Sequence, residues 1–121
     1  MEKINGTWKL TDYELIRKGD REFHDDISGL LIYAPDGWFS LSLKYPENPK
    51  QPYKKDMIKN YFFGGKYHIH NSSIVEENVT HVIDNKIGEK RAVEFSLQNN
   101  ELTRICFFGE DKLTTHWVRA A

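Results

Sequence analysis

Apolar and polar residues alternate with period two along nearly the whole chain, and turn residues break the alternation at short intervals. That combination predicts an all-β sandwich or barrel. Eight strands follow, over roughly 6–16, 28–34, 37–45, 61–70, 74–84, 88–98, 101–108 and 111–119. The turns between them carry their own signals: Pro35-Asp36-Gly37, Asn71-Ser72-Ser73, Asn99-Asn100 and Gly109-Glu110. Two connections are long. Residues 17–27 hold the charged stretch "RKGDREFHDD". Residues 46–60 hold three prolines and then "YKKDMIKN", which suits a short helical segment.

Hairpin registers can be tested against this pattern, because a slip of one residue turns every side chain to the other face. A two-residue turn at Asn99-Asn100 sets Leu97 opposite Leu102 and Phe95 opposite Arg104. A turn at Gly109-Glu110 sets Cys106 opposite Leu113, Arg104 opposite Thr115 and Leu102 opposite Trp117. The two registers agree on one apolar face. A two-residue turn at Pro35-Asp36 sets Ile32 opposite Phe39 and Leu30 opposite Leu41, which puts Leu31, Tyr33 and Trp38 outside. Antiparallel strands joined in sequence close most simply into an up-and-down barrel, here one domain over 1–121. The interior of an eight-stranded barrel is either filled by side chains or holds one small ligand.

Composition narrows the function classes. The 121 residues carry a formal net charge of −1, so no overall field favours nucleic acid. No apolar run reaches the length of a membrane span. The single cysteine, Cys106, has no internal disulfide partner, and the first ten residues lack a signal-peptide pattern; both point to the cytoplasm. The stretches "NGT", "NSS" and "NVT" match the N-glycosylation pattern and are read as chance matches.

The first strand opens with "GTW", Gly6 to Trp8, and the last ends with "HWVR", His116 to Arg119. This pair resembles the signature of the lipocalin (calycin) superfamily. More narrowly, "GTWKL", "GLLIYAPDGWFSLSL", "FFGGKYHIH", "VTHVI" and "KRAVEFSLQNNELT" are similar, in order, to stretches of the small bacterial and fungal lipocalin-like domain family. The chain departs from secreted lipocalins in its lack of disulfides, and "TDY" at 11–13 lies within the first strand. The resemblance implies a lipocalin-like barrel in which Trp8 plugs the closed end and Arg119 packs on its ring. It also implies either carriage of a small apolar molecule or, as in some relatives, promotion of a cyclisation.

The interior inventory follows from the registers. Phe39, Leu41, Phe63, Tyr67, Phe95 and Trp117 give an apolar, aromatic lumen, interrupted by His81, Arg91 and Arg104, with Thr115 beside Arg104. Ile69 is placed inside with them. A three-residue turn at 71–73 sets His81 opposite Phe63 and Tyr67 opposite Glu77; a two-residue turn there sets His81 outside. A three-residue connection at 85–87 sets His81 opposite Arg91. Interior arginines need partners. Glu77, Asp12 or Glu14 could supply them, or an anionic or carbonyl-bearing ligand could.

Three functions stay open. The first is a binder of a small, largely apolar or amphipathic molecule, its head at the arginines. The second is a cofactor-independent cyclase or isomerase using His81, Arg91 and Tyr67. The third is a filled barrel whose outer patch at Leu31, Tyr33 and Trp38 binds a protein; cover for that patch comes from 53–60 or from a second copy in a homodimer. The connections 17–27 and 46–60 are expected to flank one mouth. His68 and His70 share an outer strand face without further ligands at a suitable spacing, so no metal and no cofactor is expected.

Overall fold

In the computed structural model, residues 3–53 and 59–120 are described. The strands are β1 (Gly6–Arg17), β2 (Asp20–His24), β3 (Ser28–Tyr33), β4 (Trp38–Lys44), β5 (Asn60–His70), β6 (Ser73–His81), β7 (Lys90–Gln98), β8 (Glu101–Phe108) and β9 (Asp111–Arg119). Each pairs antiparallel with its neighbour, and β9 returns to β1. β2 and β3 share one edge of β1: β2 pairs with Tyr13–Arg17 and β3 with Gly6–Lys9. They act as one interrupted strand, so the closed antiparallel barrel has eight positions around its wall. Closure leaves few unpaired edges.

One end is sealed. Trp8 is fully buried and its indole N–H donates to the Ile4 carbonyl at 2.8 Å. The Arg119 guanidinium lies 4.3 Å from the Trp8 ring centroid and donates to the carbonyls of Asn5 (2.8 Å) and Lys3 (2.6 Å). Gly6 has φ +134°, and a Cβ there would sit 2.8 Å from Arg119 Nη1. The small residue lets the guanidinium pass over the strand.

The registers of β7–β8 and β8–β9 are those the pattern predicts, with Phe95 opposite Arg104 and Arg104 opposite Thr115. Three other expectations are corrected. The β3–β4 turn has three residues, not two: Ala34 N–H donates to the Trp38 carbonyl at 2.8 Å, and Gly37 takes φ +92°. A two-residue hairpin needs positive φ at its first turn position, which the proline ring of Pro35 forbids. The register therefore shifts by one. Leu31 and Tyr33 are fully buried, while Leu30 and Ile32 are 42% and 38% exposed. The expected outer patch of Leu31, Tyr33 and Trp38 does not exist.

Residues 17–27 are not a long loop. Lys18 and Gly19, at φ 50° and 83°, make a tight turn into β2. The strand escapes a hydrophobic reading because its buried side chains are Glu22 and His24. The helical turns expected in "YKKDMIKN" fall mostly on 54–58, outside the described residues. Among the described residues one 3-10 turn is seen, at Asp84–Lys86, between β6 and β7.

The third correction concerns β5 and β6. Their turn is two residues, Asn71-Ser72, with His70 opposite Ser73. That sets Tyr67 opposite Glu76, not Glu77. A bulge then follows: Gly64 pairs with Thr80 and Gly65 with Asn78, so Val79 is the extra residue. Above it the parity is restored and His81 faces inward, opposite Phe63. Gly65 permits the bulge, because a Cβ there would lie 1.9 Å from the Glu77 carbonyl oxygen. Gly65→Ala is expected to destabilise the barrel by about 3 kcal/mol or more, beyond the usual overpacking range. Denaturant unfolding measures this; a loss below about 1 kcal/mol would mean the bulge relaxes freely.

Candidate ligand-binding site

The bulge has a chemical consequence. Below it, β6 turns Ile74, Glu76 and Asn78 inward, and all three are buried. Glu76 is completely buried yet fully engaged. Its Oε2 accepts the Tyr33 hydroxyl at 2.5 Å, and its Oε1 accepts Arg91 Nη2 at 2.9 Å and Arg104 Nη2 at 2.8 Å. Arg104 Nε also donates to the Tyr33 oxygen at 3.1 Å. Every group around the carboxylate donates to it. Two guanidinium groups thus share one carboxylate, a formal excess of one positive charge.

Neighbouring groups respond to this cluster. Burial, the largest single effect, disfavours the Arg104 charge, but Glu76, Tyr33 and Cys106 together outweigh it and hold the guanidinium protonated. Burial pushes the Tyr33 hydroxyl well above its ordinary range, so it stays a donor to Glu76. Burial also raises the Cys106 thiol, which suits a packed interior sulfur rather than a nucleophile.

The acids named from sequence do other work. Asp12 meets His116 at 2.5 Å, Glu14 meets Arg21 at 2.5 Å, and Glu77 lies on the outer face. Glu22, another interior acid, bonds to His24 at 2.7 Å.

Arg91 links the cluster to an aromatic layer. Its Nη1 donates to Asn78 Oδ1 at 2.9 Å, and Asn78 is itself held by the Lys86 carbonyl. Its guanidinium lies 4.5 Å from the Phe63 centroid and 6.0 Å from that of Phe39. His81 stacks on Phe63 at 5.3 Å, with the rings 13° apart. The expected pairing of His81 with Arg91 is not found. β6–β7 pairing stops at Glu77–Lys90, and Glu76 stands opposite Arg91. The connection is longer than three residues because 84–86 coil into the 3-10 turn.

The tautomer of His81 follows from its bonds. Ile83 N–H donates to His81 Nδ1 at 2.9 Å, so Nδ1 carries no proton. Burial, then Lys86 and Arg91, lower the pKa and keep the ring neutral. Nε2 therefore carries the proton and donates to the Tyr61 oxygen at 3.1 Å.

Not all the expected residues meet. Tyr67 packs its ring 4.9 Å from Tyr33, but its hydroxyl is spent on the Ala34 carbonyl at 2.6 Å. It has no hydrogen bond to His81 or Arg91 among the described residues. Thr115 accepts the Trp117 indole N–H at 2.8 Å. Leu41 and Phe39 are buried wall residues, and Phe95 is partly buried. Ile69 is 46% exposed near the β5–β6 turn, not a lumen residue. Tyr33, Glu76, Asn78 and Tyr61 were missed: Tyr33 because the Pro35 turn has three residues, Glu76 and Asn78 because the 71–72 turn has two.

Two surface concavities lie outside the barrel. One, of about 340 Å³, runs past Leu30, Ser42 and Phe62. The other, of about 530 Å³, is lined by Trp38, Lys66, His68 and Glu77, among others. Among the described residues, no three His, Cys, Asp or Glu side chains are grouped to hold a metal ion, and no helix is long and apolar enough to cross a membrane.

No family model matches the chain, and no curated protein matches it. Among solved structures, it is similar to a redesigned β-barrel, with a TM-score of 0.57 and 12% identity over 98% of this chain and 92% of that one. At that identity the likeness concerns the fold alone.

Two outcomes test this geometry. Glu76→Ala strands both guanidinium groups and is expected to cost about 3–5 kcal/mol of unfolding free energy. A loss under about 1 kcal/mol in urea titration would show that the arginines do not depend on it.

The second concerns pH. The folded pKa of His81 lies below the ordinary histidine value of about 6.5, so the unfolded chain protonates first as pH falls. The stability linked to this site is complete above that value and declines through it toward the lowered one. His81→Asn keeps an acceptor near the Nδ1 position and does not titrate there. Its melting temperature should fall less between pH 7 and pH 5 than that of the unsubstituted protein. Equal falls would contradict the assignment.

Proposed function

We propose that the barrel binds a small, largely apolar molecule with an anionic or carbonyl head, the head at Arg91 and the body against the aromatic wall. The observation that carries this reading is the shared carboxylate: Arg91 and Arg104 both bond to Glu76, which leaves positive charge in excess. Arg104 is sequestered, with 4% of its side chain exposed, whereas Arg91 keeps 21%. Arg91 Nε has no hydrogen-bond partner among the described residues. A planar guanidinium with a free donor suits a carboxylate or carbonyl oxygen.

Apolar surface is available on the wall, with Phe63 directly against Arg91. Phe63, Phe95, Leu15 and Leu113 pack against the core yet are only partly buried. They offer a body-binding wall, whereas the polar head would meet Arg91. The catalytic alternative lacks comparable support, because the Tyr67 hydroxyl bonds to the Ala34 carbonyl and not to His81 or Arg91.

Displacement of anilinonaphthalene sulfonate fluorescence provides the test. Decanoate should compete better than decyltrimethylammonium, which has a similar tail and the opposite charge. Arg91→Met should weaken decanoate by about 10- to 100-fold, the range for a hydrogen bond to a charged group. Equal competition by the two amphiphiles, or an unchanged decanoate affinity in Arg91→Met, would contradict the reading.

A further inference from the structure

The tautomer of His81 leaves a donor unspent. His81 Nε2–H donates to the Tyr61 oxygen, so the Tyr61 hydroxyl hydrogen is free to point elsewhere. No acceptor takes it among the described residues. Tyr61 faces inward on β5, opposite Leu43 and two residues from Phe63. Its ring lies 5.9 Å from that of Phe63, the ring that Arg91 approaches at 4.5 Å and His81 at 5.3 Å. Tyr61 and Arg91 therefore flank the same aromatic ring. Arg91 is also among the charges that act on the Tyr61 hydroxyl.

We infer that Tyr61 is a second head-group donor of the lumen, acting with Arg91, and that the ligand head is an acceptor-only oxygen group: a carboxylate or a ketone. This rests on the lumen-binding reading above and deepens it. Arg91 Nε and the Tyr61 hydroxyl both donate, so a head that only accepts satisfies both. An alcohol or amine also accepts, but it brings a hydrogen of its own that this pole does not receive. Leaving a buried donor unpaired is costly, which makes such sites selective. His81 is a positioning residue: its N–H on the Tyr61 oxygen turns the hydroxyl hydrogen away from itself.

Methyl nonyl ketone and its alcohol, methyl nonyl carbinol, share one skeleton and isolate the head. With the full chain, displacement of anilinonaphthalene sulfonate should show the ketone preferred by about tenfold or more. The preference should shrink in Tyr61→Phe, which removes only the hydroxyl. The infrared carbonyl stretch of the bound ketone should lie lower in the unsubstituted protein than in Tyr61→Phe. In the unsubstituted protein alone, a stretch at its value in hexane would overturn the assignment, whether or not the variant folds. Ketone binding with the same stretch and the same preference in both proteins would overturn the role of Tyr61 and leave lumen binding standing. Failure of ketone, decanoate and fluorophore to bind at all would overturn both.

Discussion

Two interior arginines share a single carboxylate, and much of this barrel's interior is arranged around that constraint. Glu76 is completely buried and accepts from Tyr33, Arg91 and Arg104. An ion of either sign is costly inside a protein unless it is paired and hydrogen-bonded. The cluster meets that condition only if four strands deliver their side chains to one point. β3 brings Tyr33, β6 brings Glu76, β7 brings Arg91 and β8 brings Arg104. A register slip in any of them would turn its member outward. The network thus specifies the pairing of the wall as well as its charge.

The bulge at Gly64–Gly65 reconciles two demands on β6. Below it, the strand turns Glu76 to the arginines; above it, the strand turns His81 to Phe63. Without the extra residue, Val79, one of the two would face solvent. β1 has a similar device between Leu10 and Asp12, which keeps Trp8 and Leu10 inward below and Tyr13 and Leu15 inward above. These irregularities let a simple up-and-down barrel carry both the packing around Trp8 and the polar cluster around Glu76.

Much of the fold was legible in the sequence. Period-two alternation marked eight of the nine strands, and the registers of β7, β8 and β9 followed from two short turns. The inward facing of Arg91 and Arg104 was legible for the same reason, as both alternate with apolar residues. The placement of His81 was right for an incomplete reason. A two-residue turn plus a bulge has the same effect on its facing as the three-residue turn expected. Glu76 was hidden because Glu76 and Glu77 are adjacent, so only the turn length decides which faces inward. The Pro35 turn, by contrast, was decidable beforehand: a proline cannot take the first position of a two-residue hairpin. β2 was missed because it buries Glu22 and His24, which inverts the pattern used to find strands.

The lumen pole joins positive charge, an unspent tyrosine donor and partly exposed aromatic wall in one place. On the proposed reading, this pole would receive an oxygen anion carried on an apolar body. The most direct measurement is a crystal structure of the chain with omega-bromodecanoate, using the anomalous signal of bromine to locate the tail. The account predicts the carboxylate on Arg91 and the bromine inside the barrel. Bromine confined to the outer groove beside Leu30 and Phe62, with nothing at Arg91, would contradict it.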